Sequence, residues 1–222
     1  MQKTIVSLGG STLYSEGKLD KRFIKTACTA FKEYASKGNQ LVVVVGGGSL
    51  SGKKADEARA NGLSDYYADK AAIEATRENA DLVLAELGSA GAGVVTNIDE
   101  ALPLLKAGKI VVSGGMHPGL TTDSVSVLFA EAICADRLVN VSNVDGIYDS
   151  DPKKNPGAKR FDEMTHEQLV ELAIKSDDRR ARTNFVFDLV AAKLAARSKI
   201  PLVFACKRNF TGLDSVKGTV VS

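Results

Sequence analysis

Short apolar runs rich in β-branched residues recur along the chain, and they constrain its fold more than any other feature. They occupy residues 4–8, 41–45, 93–96, 109–113, 137–141 and 201–205. Runs of this length and composition are typical of strands buried on both faces of a sheet. Longer segments with helical apolar spacing separate them. This alternation predicts an α/β fold, a three-layer αβα sandwich with a mostly parallel central sheet.

Glycine follows three of these predicted strands. The first is followed by GGS (residues 9–11), the second by GGGS (46–49) and the fourth by GGMHPG (114–119). Ligands of parallel α/β sheets bind at the carboxyl ends of the strands. Glycine permits positive φ and lets backbone amides approach a ligand without an intervening Cβ, which suits a phosphate. Each pair alone is equally consistent with a tight turn, but three equivalent exits predict a phosphate site.

Neither of the common phosphate-binding fingerprints is present. The glycines match neither a GxxxxGKS/T P-loop nor a GxGxxG dinucleotide motif. The stretch at 145–156, DGIYDSDPKKNP, predicts a hairpin or long loop at the same end of the sheet. Thr165 and Gln168 have capping-box spacing and predict a helix start. The charged segment at 179–182 is either a solvated surface loop or a flexible segment that closes over bound nucleotide.

Charge, cysteine content and apolar run length exclude several classes of protein. The net charge is +2, from 29 basic and 27 acidic residues, so no global field draws the chain toward nucleic acid or a membrane. The three cysteines are far apart in apolar patterns, which argues against a disulfide framework or a CxxC metal site. No signal-peptide pattern opens the sequence, and no apolar run approaches the roughly 20 residues of a membrane span. We expect a cytoplasmic protein whose partners are neither nucleic acid nor membrane.

Five stretches, taken together and in order, resemble the amino acid kinase superfamily. They are GGS, GGGS, GGMHPGLTTD, SNVDGIYDSDPKKNP and DLVAAKLAARSKI. Within the superfamily the chain is similar to the archaeal type of uridylate kinases over nearly its whole length. The HPG corner followed by TTD, combined with the NVDGIYDSDP loop, is the most specific part of the resemblance.

The resemblance implies a fold, an activity and an assembly. Residues 1–222 would form one amino acid kinase-like domain, with a soft boundary near residue 136. The lobe of about residues 1–135 would bind the acceptor UMP, and the lobe of about residues 136–222 would bind ATP. The implied reaction is transfer of the ATP γ-phosphate to UMP, with Mg²⁺ accompanying ATP. A homo-oligomer, specifically a hexamer, is also implied.

Site residues follow from the same resemblance. Gly9 and Gly10 would form the turn that holds the transferring phosphate, with their amides as donors, and they are the implied catalytic residues. The implied ATP site comprises Gly9, Gly10, Gly48, Ser142, Asn143, Tyr148 and Asp151. The implied UMP site comprises Gly47, Asp69, Met116, His117, Pro118, Gly119, Leu120, Thr121 and Thr122. No metal-ligating side chain is implied.

Several of these residues have a specific implied role. Asp69 would accept hydrogen bonds from the ribose hydroxyls, and Tyr148 would flank the adenine. Thr121 and Thr122 would donate hydroxyls beside a helix N-terminus that faces the nucleotide phosphate. His117 would have a structural or orienting role, because an ionised UMP phosphate needs no general base.

The chain departs from the family pattern at positions that carry charge in other members. Ser7 stands where many members have lysine, and Gly52 stands where the GGGxxxR pattern has arginine. Lys53 or Lys54 could supply that charge, although lysine lacks the bidentate fork. Asp188 is followed by leucine where proline is usual. Two alternatives stay open: a nucleotide-binding sensor or storage-like protein with weak or no turnover, and a kinase for another small anionic acceptor.

Overall fold

The structure is a computed structural model that describes residues 1–150, 152, 155–176 and 187–222. Two predictions fall outside these residues: Asp151 as an ATP ligand, and the charged segment at 179–182. All other candidate residues are described.

Strands and helices alternate as the sequence predicts. The strands are β1 (Lys3–Leu8), β2 (Tyr14–Ser15), β3 (Lys18–Leu19), β4 (Gln40–Val45), β5 (Gly91–Val95), β6 (Ile110–Ser113), β7 (Arg137–Ser142), β8 (Glu163–Met164), β9 (Leu202–Cys206) and β10 (Gly218–Val221). The α-helices are α1 (Lys21–Ser36), α2 (Gly48–Ala60), α3 (Asp65–Leu87), α4 (Ala101–Lys106), α5 (Thr122–Ile133), α6 (His166–Ser176) and α7 (Leu189–Ser198). Every predicted strand is present, and each begins and ends within two residues of the expected positions.

One central sheet contains eight of the strands, in the order β5-β6-β4-β1-β7-β9-β10-β8. The strands from β5 to β9 in this order pair in parallel, and β10 is antiparallel to β9. The mostly parallel sheet is therefore confirmed. Because β7 pairs with β1, the chain beyond residue 136 continues the same sheet. The edge strand β5 is only partly buried, so the expectation of burial on both faces is wrong for that strand.

Two apolar cores lie on opposite faces of the sheet. Ile5 of β1 packs into one core with residues of α5, α6 and α7, whereas the next residue, Val6, packs into the other core with residues of α1 and α3. Successive side chains of a strand point to opposite faces, so both positions of a central strand must be apolar when helices cover both faces. This arrangement confirms the three-layer sandwich.

The remaining composition-based expectations concern thiols, capping and membrane spans. All three cysteines are free, with Cys28 and Cys206 buried and Cys134 exposed. The capping box at the start of α6 is confirmed: Thr165 N donates to Gln168 Oε1 over 2.8 Å, and Gln168 N donates to Thr165 Oγ1 over 3.2 Å. Within the described part of the chain, no helix combines the length and apolarity needed to cross a bilayer.

Candidate functional site

The three glycine-rich exits lie side by side. They follow β6, β4 and β1, which are neighbouring parallel strands, so their carboxyl ends meet at one edge of the sheet. The strand pairing continues one residue into two of the exits. Gly46 N donates to Leu8 O over 2.8 Å, and Gly9 N donates to Val141 O over 2.9 Å. The exits therefore begin at fixed positions relative to one another.

The turns after β1 and β4 touch through their backbones. A Cβ on Gly10 would overlap the carbonyl oxygen of Gly46 and lie 2.5 Å from Gly48 N. A Cβ on Gly48 would lie 2.7 Å from Ser11 N. Of the glycines in the three exits, Gly48 and Gly119 have positive φ, at 59° and 84°. Gly10 and Gly46 are therefore needed for the close approach of two turns, whereas the sequence suggested freedom of φ and access for a ligand.

The backbone amides of these turns favour the binding of an anion. The amide of Gly9 donates to Val141 O in this structure, and its contact with a phosphate stays a prediction. Residues Gly10–Leu13 form a 3₁₀ turn, and neither this turn nor α2 has a side-chain cap at its N-terminus among the described residues. The first amides of a helix have no intrahelical acceptor and carry a partial positive charge. The start of α2 at Gly48, against Gly10, is thus suited to bind phosphate.

The N-terminus of α5 differs, because side chains already cap it. Thr121 Oγ1 accepts a hydrogen bond from Ser124 N over 3.1 Å and donates to Asp188. Asp188 in turn caps α7, accepting from Val190 N and Ala191 N over 2.8 and 3.0 Å. The hydroxyl of Thr121 therefore joins two helix caps. A nucleotide contact of this hydroxyl stays a prediction.

Thr122 lies beside the glycine turns. A Cβ on Gly46 would come within 3.5 Å of Thr122 Oγ1, so this hydroxyl is at the exit of β4. Met116 is partly buried and packs against the core that contains α5. These positions bring the ends of the segment 116–122 to the same edge of the sheet as the glycines.

The carboxylate of Asp123, which the sequence analysis did not identify as a site residue, lies next to the ends of β1 and β7. Asp123 Oδ1 accepts hydrogen bonds from Ser7 Oγ over 2.8 Å and from Asn140 Nδ2 over 3.0 Å. Burial raises the pKa of Asp123 to about 7, and the negative charge of Asp188 adds to this rise, while the two hydrogen bonds oppose it. Ser7, which replaces the family's lysine, thus has a defined partner. A polar residue within each of two buried strands was the available signal.

The His-Pro-Gly corner contacts α3. Asp69 Oδ2 accepts a hydrogen bond from Gly119 N over 2.8 Å. His117 is exposed, and its Nδ1 lies 2.8 Å from the carbonyl oxygen of Pro118. Leu120 N donates to His117 O over 3.1 Å and closes the turn. The structure therefore brings together the acidic residue and the corner that the resemblance assigned to UMP.

Two further buried polar residues of α3 bind the glycine exits, and the sequence analysis did not identify them. Thr76 Oγ1 accepts a hydrogen bond from Gly115 N over 2.6 Å. Asn79 Nδ2 donates to Gly46 O and Gly47 O over 2.9 and 3.1 Å. Polar side chains on the buried face of a helix were the only local signal, because their partners are more than 30 residues away along the chain.

Residues assigned to ATP lie at the end of β7 and after it, next to the turn after β1. Asn143 Nδ2 donates to both the backbone oxygen and the Oγ of Ser11, each over 3.2 Å. Ser142 Oγ accepts from Val144 N over 3.1 Å. Tyr148 donates to Asp145 Oδ1 over 2.8 Å, and this bond is the main cause that raises the pKa of Tyr148.

The stretch beyond Tyr148 folds back on itself, as the turn formers predicted. Tyr148 forms an isolated antiparallel bridge with Arg160. Phe161 N donates to Ile147 O over 2.8 Å, and Asp149 N donates to Lys159 O over 3.0 Å. The described part of this stretch is therefore a hairpin that follows the β7 exit.

The lysines that could replace the missing arginine are engaged elsewhere. Gly52 is buried within α2. Lys53 is largely exposed, with its Nζ 3.9 Å from Glu57, and Lys54 pairs with Glu78 of α3. Both lysines therefore face carboxylates of the helix pair α2 and α3.

Comparisons with known proteins agree with this architecture. A uridylate kinase of Archaeoglobus fulgidus is 40% identical over 219 residues, which cover 99% of this chain and 97% of that protein. A uridylate kinase of Thermococcus kodakarensis is 40% identical over 218 residues, covering 97% of this chain and 96% of the relative.

Solved structures share the fold. The crystal structure of uridylate kinase from Archaeoglobus fulgidus superposes with a TM-score of 0.85 at 37% identity, over 100% of both chains. The aspartate kinase of Synechocystis has a TM-score of 0.76 at 23% identity and shares the fold over 99% of this chain and 39% of its own. The amino acid kinase family matches residues 2–206. With its parallel sheet and touching glycine turns, this chain belongs to the amino acid kinase family.

Proposed function

We propose that this protein is a uridylate kinase that transfers the γ-phosphate of ATP to UMP. The observation that carries the proposal is the backbone contact between two glycine turns at adjacent strand ends, with the start of α2 at their junction. Such a junction can serve two phosphates that must meet for transfer. Relatives named uridylate kinase match the chain over nearly its full length, which supports UMP as the acceptor.

The proposed chemistry is direct in-line transfer. An oxygen of the UMP phosphate forms a bond to the γ-phosphorus, the bond from that phosphorus to the β,γ-bridging oxygen breaks, and ADP leaves. The attacking oxygen is already ionised near neutral pH, so general-base catalysis contributes little. Positioning by backbone amides and the partial charge at the α2 N-terminus would stabilise charge in the transition state. Gly10 and Gly48 are the residues at this junction.

The acceptor would bind across α3 and the His-Pro-Gly corner. Asp69 is held by the Gly119 amide through Oδ2, which orients the carboxylate so that Oδ1 can accept from a ribose hydroxyl. The segment 116–122 and Gly47 complete the proposed UMP site. The proposed lobe of about residues 1–135 contains all of these residues.

The donor would bind beyond the β7 exit. Ser142 ends this strand and Asn143 and Tyr148 follow it, with Asn143 bonded to the turn after β1. Gly48 would reach the ATP phosphates, and Asp151 completes the proposed set. The proposed lobe of about residues 136–222 supplies most of these contacts.

Mg²⁺ is proposed as the ion that accompanies ATP and neutralises charge on its phosphates. An ion of this kind is usually held by one or two carboxylates, nucleotide phosphates and water. Asp123 lies beside the exits of β1 and β7, but its Oδ1 already accepts hydrogen bonds from Ser7 and Asn140. The nucleotide phosphates and water are therefore proposed as the ligands of the ion, with no side-chain ligand.

A coupled assay of ADP release tests the proposal. Purified protein receives ATP and Mg²⁺ with UMP, CMP, dUMP or an amino acid, and calorimetry measures nucleotide binding in parallel. UDP formation from UMP is expected. Tight binding of UMP or ATP without any UDP would instead identify a sensor or storage-like protein, and turnover with a different acceptor would reassign the substrate.

We also propose a homo-oligomer, specifically a hexamer, in the cytoplasm. The resemblance to archaeal uridylate kinases supports this assembly. Size-exclusion chromatography with light scattering measures the mass directly. A mass near the 23.5 kDa of one chain would contradict the proposed assembly.

A further inference from the structure

Asn79 is a fully buried polar side chain of α3, and its hydrogen bonds join two parts of the candidate site. Its Nδ2 donates to the carbonyl oxygens of Gly46 and Gly47. Its Oδ1 accepts from the hydroxyl of Tyr14 over 3.0 Å, and Tyr14 directly follows the 3₁₀ turn after β1. One amide group thus contacts the turn after β4 and, through Tyr14, the turn after β1.

Binding two successive carbonyls fixes two peptide planes. In a planar trans peptide, the N–H of each residue points opposite to the C=O of the residue before it. A bond to Gly46 O therefore sets the direction of the Gly47 amide, and a bond to Gly47 O sets the direction of the Gly48 amide. Both amides point away from Asn79. They are the amides at the start of α2, where the two glycine turns touch.

Three successive glycines need such an external constraint. Glycine has the greatest backbone freedom of any residue, so the sequence GGG does not by itself hold its amides in one direction. An asparagine can donate two hydrogen bonds and accept others through its oxygen. The Tyr14 hydroxyl, by donating to Oδ1, orients the amide so that both N–H donors face the glycine carbonyls.

We propose that Asn79, oriented by Tyr14, is a positioning residue for phosphoryl transfer. It directs the amides of Gly47 and Gly48 toward the acceptor and donor phosphates. This inference rests on the proposed kinase activity. It adds two residues that touch neither nucleotide but that set the geometry of the backbone donors.

The test compares three substitutions that are close in shape to the native residues. Asn79→Asp keeps the Oδ1 acceptor for Tyr14 but replaces the donor by an oxygen that faces two carbonyls. Tyr14→Phe removes only the hydroxyl that orients Asn79. Tyr34→Phe is the matched control, because it also deletes a tyrosine hydroxyl bond, 2.8 Å to Thr4 Oγ1, at the amino end of β1.

Steady-state kinetics with UMP, ATP and Mg²⁺ gives kcat and both KM values, and thermal unfolding gives Tm. Misplacing groups by about 1 Å can cost about 100-fold in rate. We expect Asn79→Asp to lower kcat by about 100-fold and Tyr14→Phe by about 3- to 10-fold. Tyr34→Phe, which loses the bonds to Thr4 and Gln2, should lower Tm at least as much as Tyr14→Phe, with kcat unchanged. The proposal is overturned when Tyr14→Phe loses no more kcat than Tyr34→Phe.

A second measurement does not depend on turnover. In protein labelled with ¹⁵N-glycine, UMP should shift the amide resonance of Gly47 and MgATP that of Gly48 in the wild type, and these shifts should be lost in Tyr14→Phe and Asn79→Asp. The same shifts in all three proteins would overturn the positioning role. Absence of UDP from the wild type would refute the kinase proposal, while the glycine amide shifts would still test the role of Asn79.

Discussion

Gly10→Ala tests whether contact between the two glycine turns is necessary for activity. A Cβ at this position would overlap Gly46 O and lie 2.5 Å from Gly48 N, whereas ordinary contacts of a Cβ begin near 3.4 Å. The turns must therefore separate by about 1 Å, a displacement that can cost about 100-fold in rate. Gly10 does not have positive φ, so the effect is steric and does not involve backbone strain. Forcing an extra methyl into a packed site also costs about 1–3 kcal/mol of unfolding free energy.

The assay for Gly10→Ala is coupled ADP release with UMP as acceptor, together with urea denaturation. We expect kcat/KM to fall by about 100-fold and the free energy of unfolding to fall by about 1–3 kcal/mol. Gly212→Ala is the matched control, since a Cβ there has no neighbour within 4 Å in the described structure and φ is not positive. Activity of Gly10→Ala close to that of Gly212→Ala would refute the steric argument.

Three further substitutions test charges and caps of the same fold by urea denaturation. Asp123 has a pKa of about 7, above the ordinary value near 3.9, so the folded state binds the proton more tightly and wild-type stability falls as pH rises from about 4 to 7. Asp123→Asn should remove this pH dependence of the free energy of unfolding, which is up to about 1.4 kcal/mol per pH unit. Equal pH dependence in the wild type and the variant would contradict the raised pKa of Asp123. Asp188→Ala should lower the free energy of unfolding by about 1–3 kcal/mol, because Asp188 caps α7 and binds Thr121. Its control, Asp65→Ala, breaks an exposed ion pair and should lower the same free energy by less than about 1 kcal/mol. Lys207→Met should lower the free energy of unfolding by about 2–3 kcal/mol, because Lys207 Nζ donates to Thr12 O, Tyr14 O and Asp20 Oδ2. Its control, Lys193→Met on the exposed face of α7, should stay within about 0.5 kcal/mol of the wild type.

Local patterns predicted six of the ten strands in the described part of the chain and the glycine exits at one edge of the sheet. Each apolar run that alternates with a helical segment became a strand, because burial on both faces of a sheet requires unbroken apolar sequence. The strands β2, β3, β8 and β10 were not predicted, since the first three are two residues long and β10 is short and only partly buried. The capping box of α6 was also predictable, because its two partners are three residues apart.

The sequence by itself determined the α/β class, the mostly parallel sheet and the cluster of glycine exits at one sheet edge, because these follow from the spacing of neighbouring residues. Only the tertiary structure decided that Gly10 contacts Gly46 and that Asn79 donates to the glycine carbonyls. It also decided that Asp123 accepts hydrogen bonds from Ser7 and Asn140. The partners in these contacts are far apart along the chain: the two donors to Asp123 are 17 and 116 residues away from it. Their geometry depends on how strands and helices pack in three dimensions, and no local pattern of residues encodes that distance.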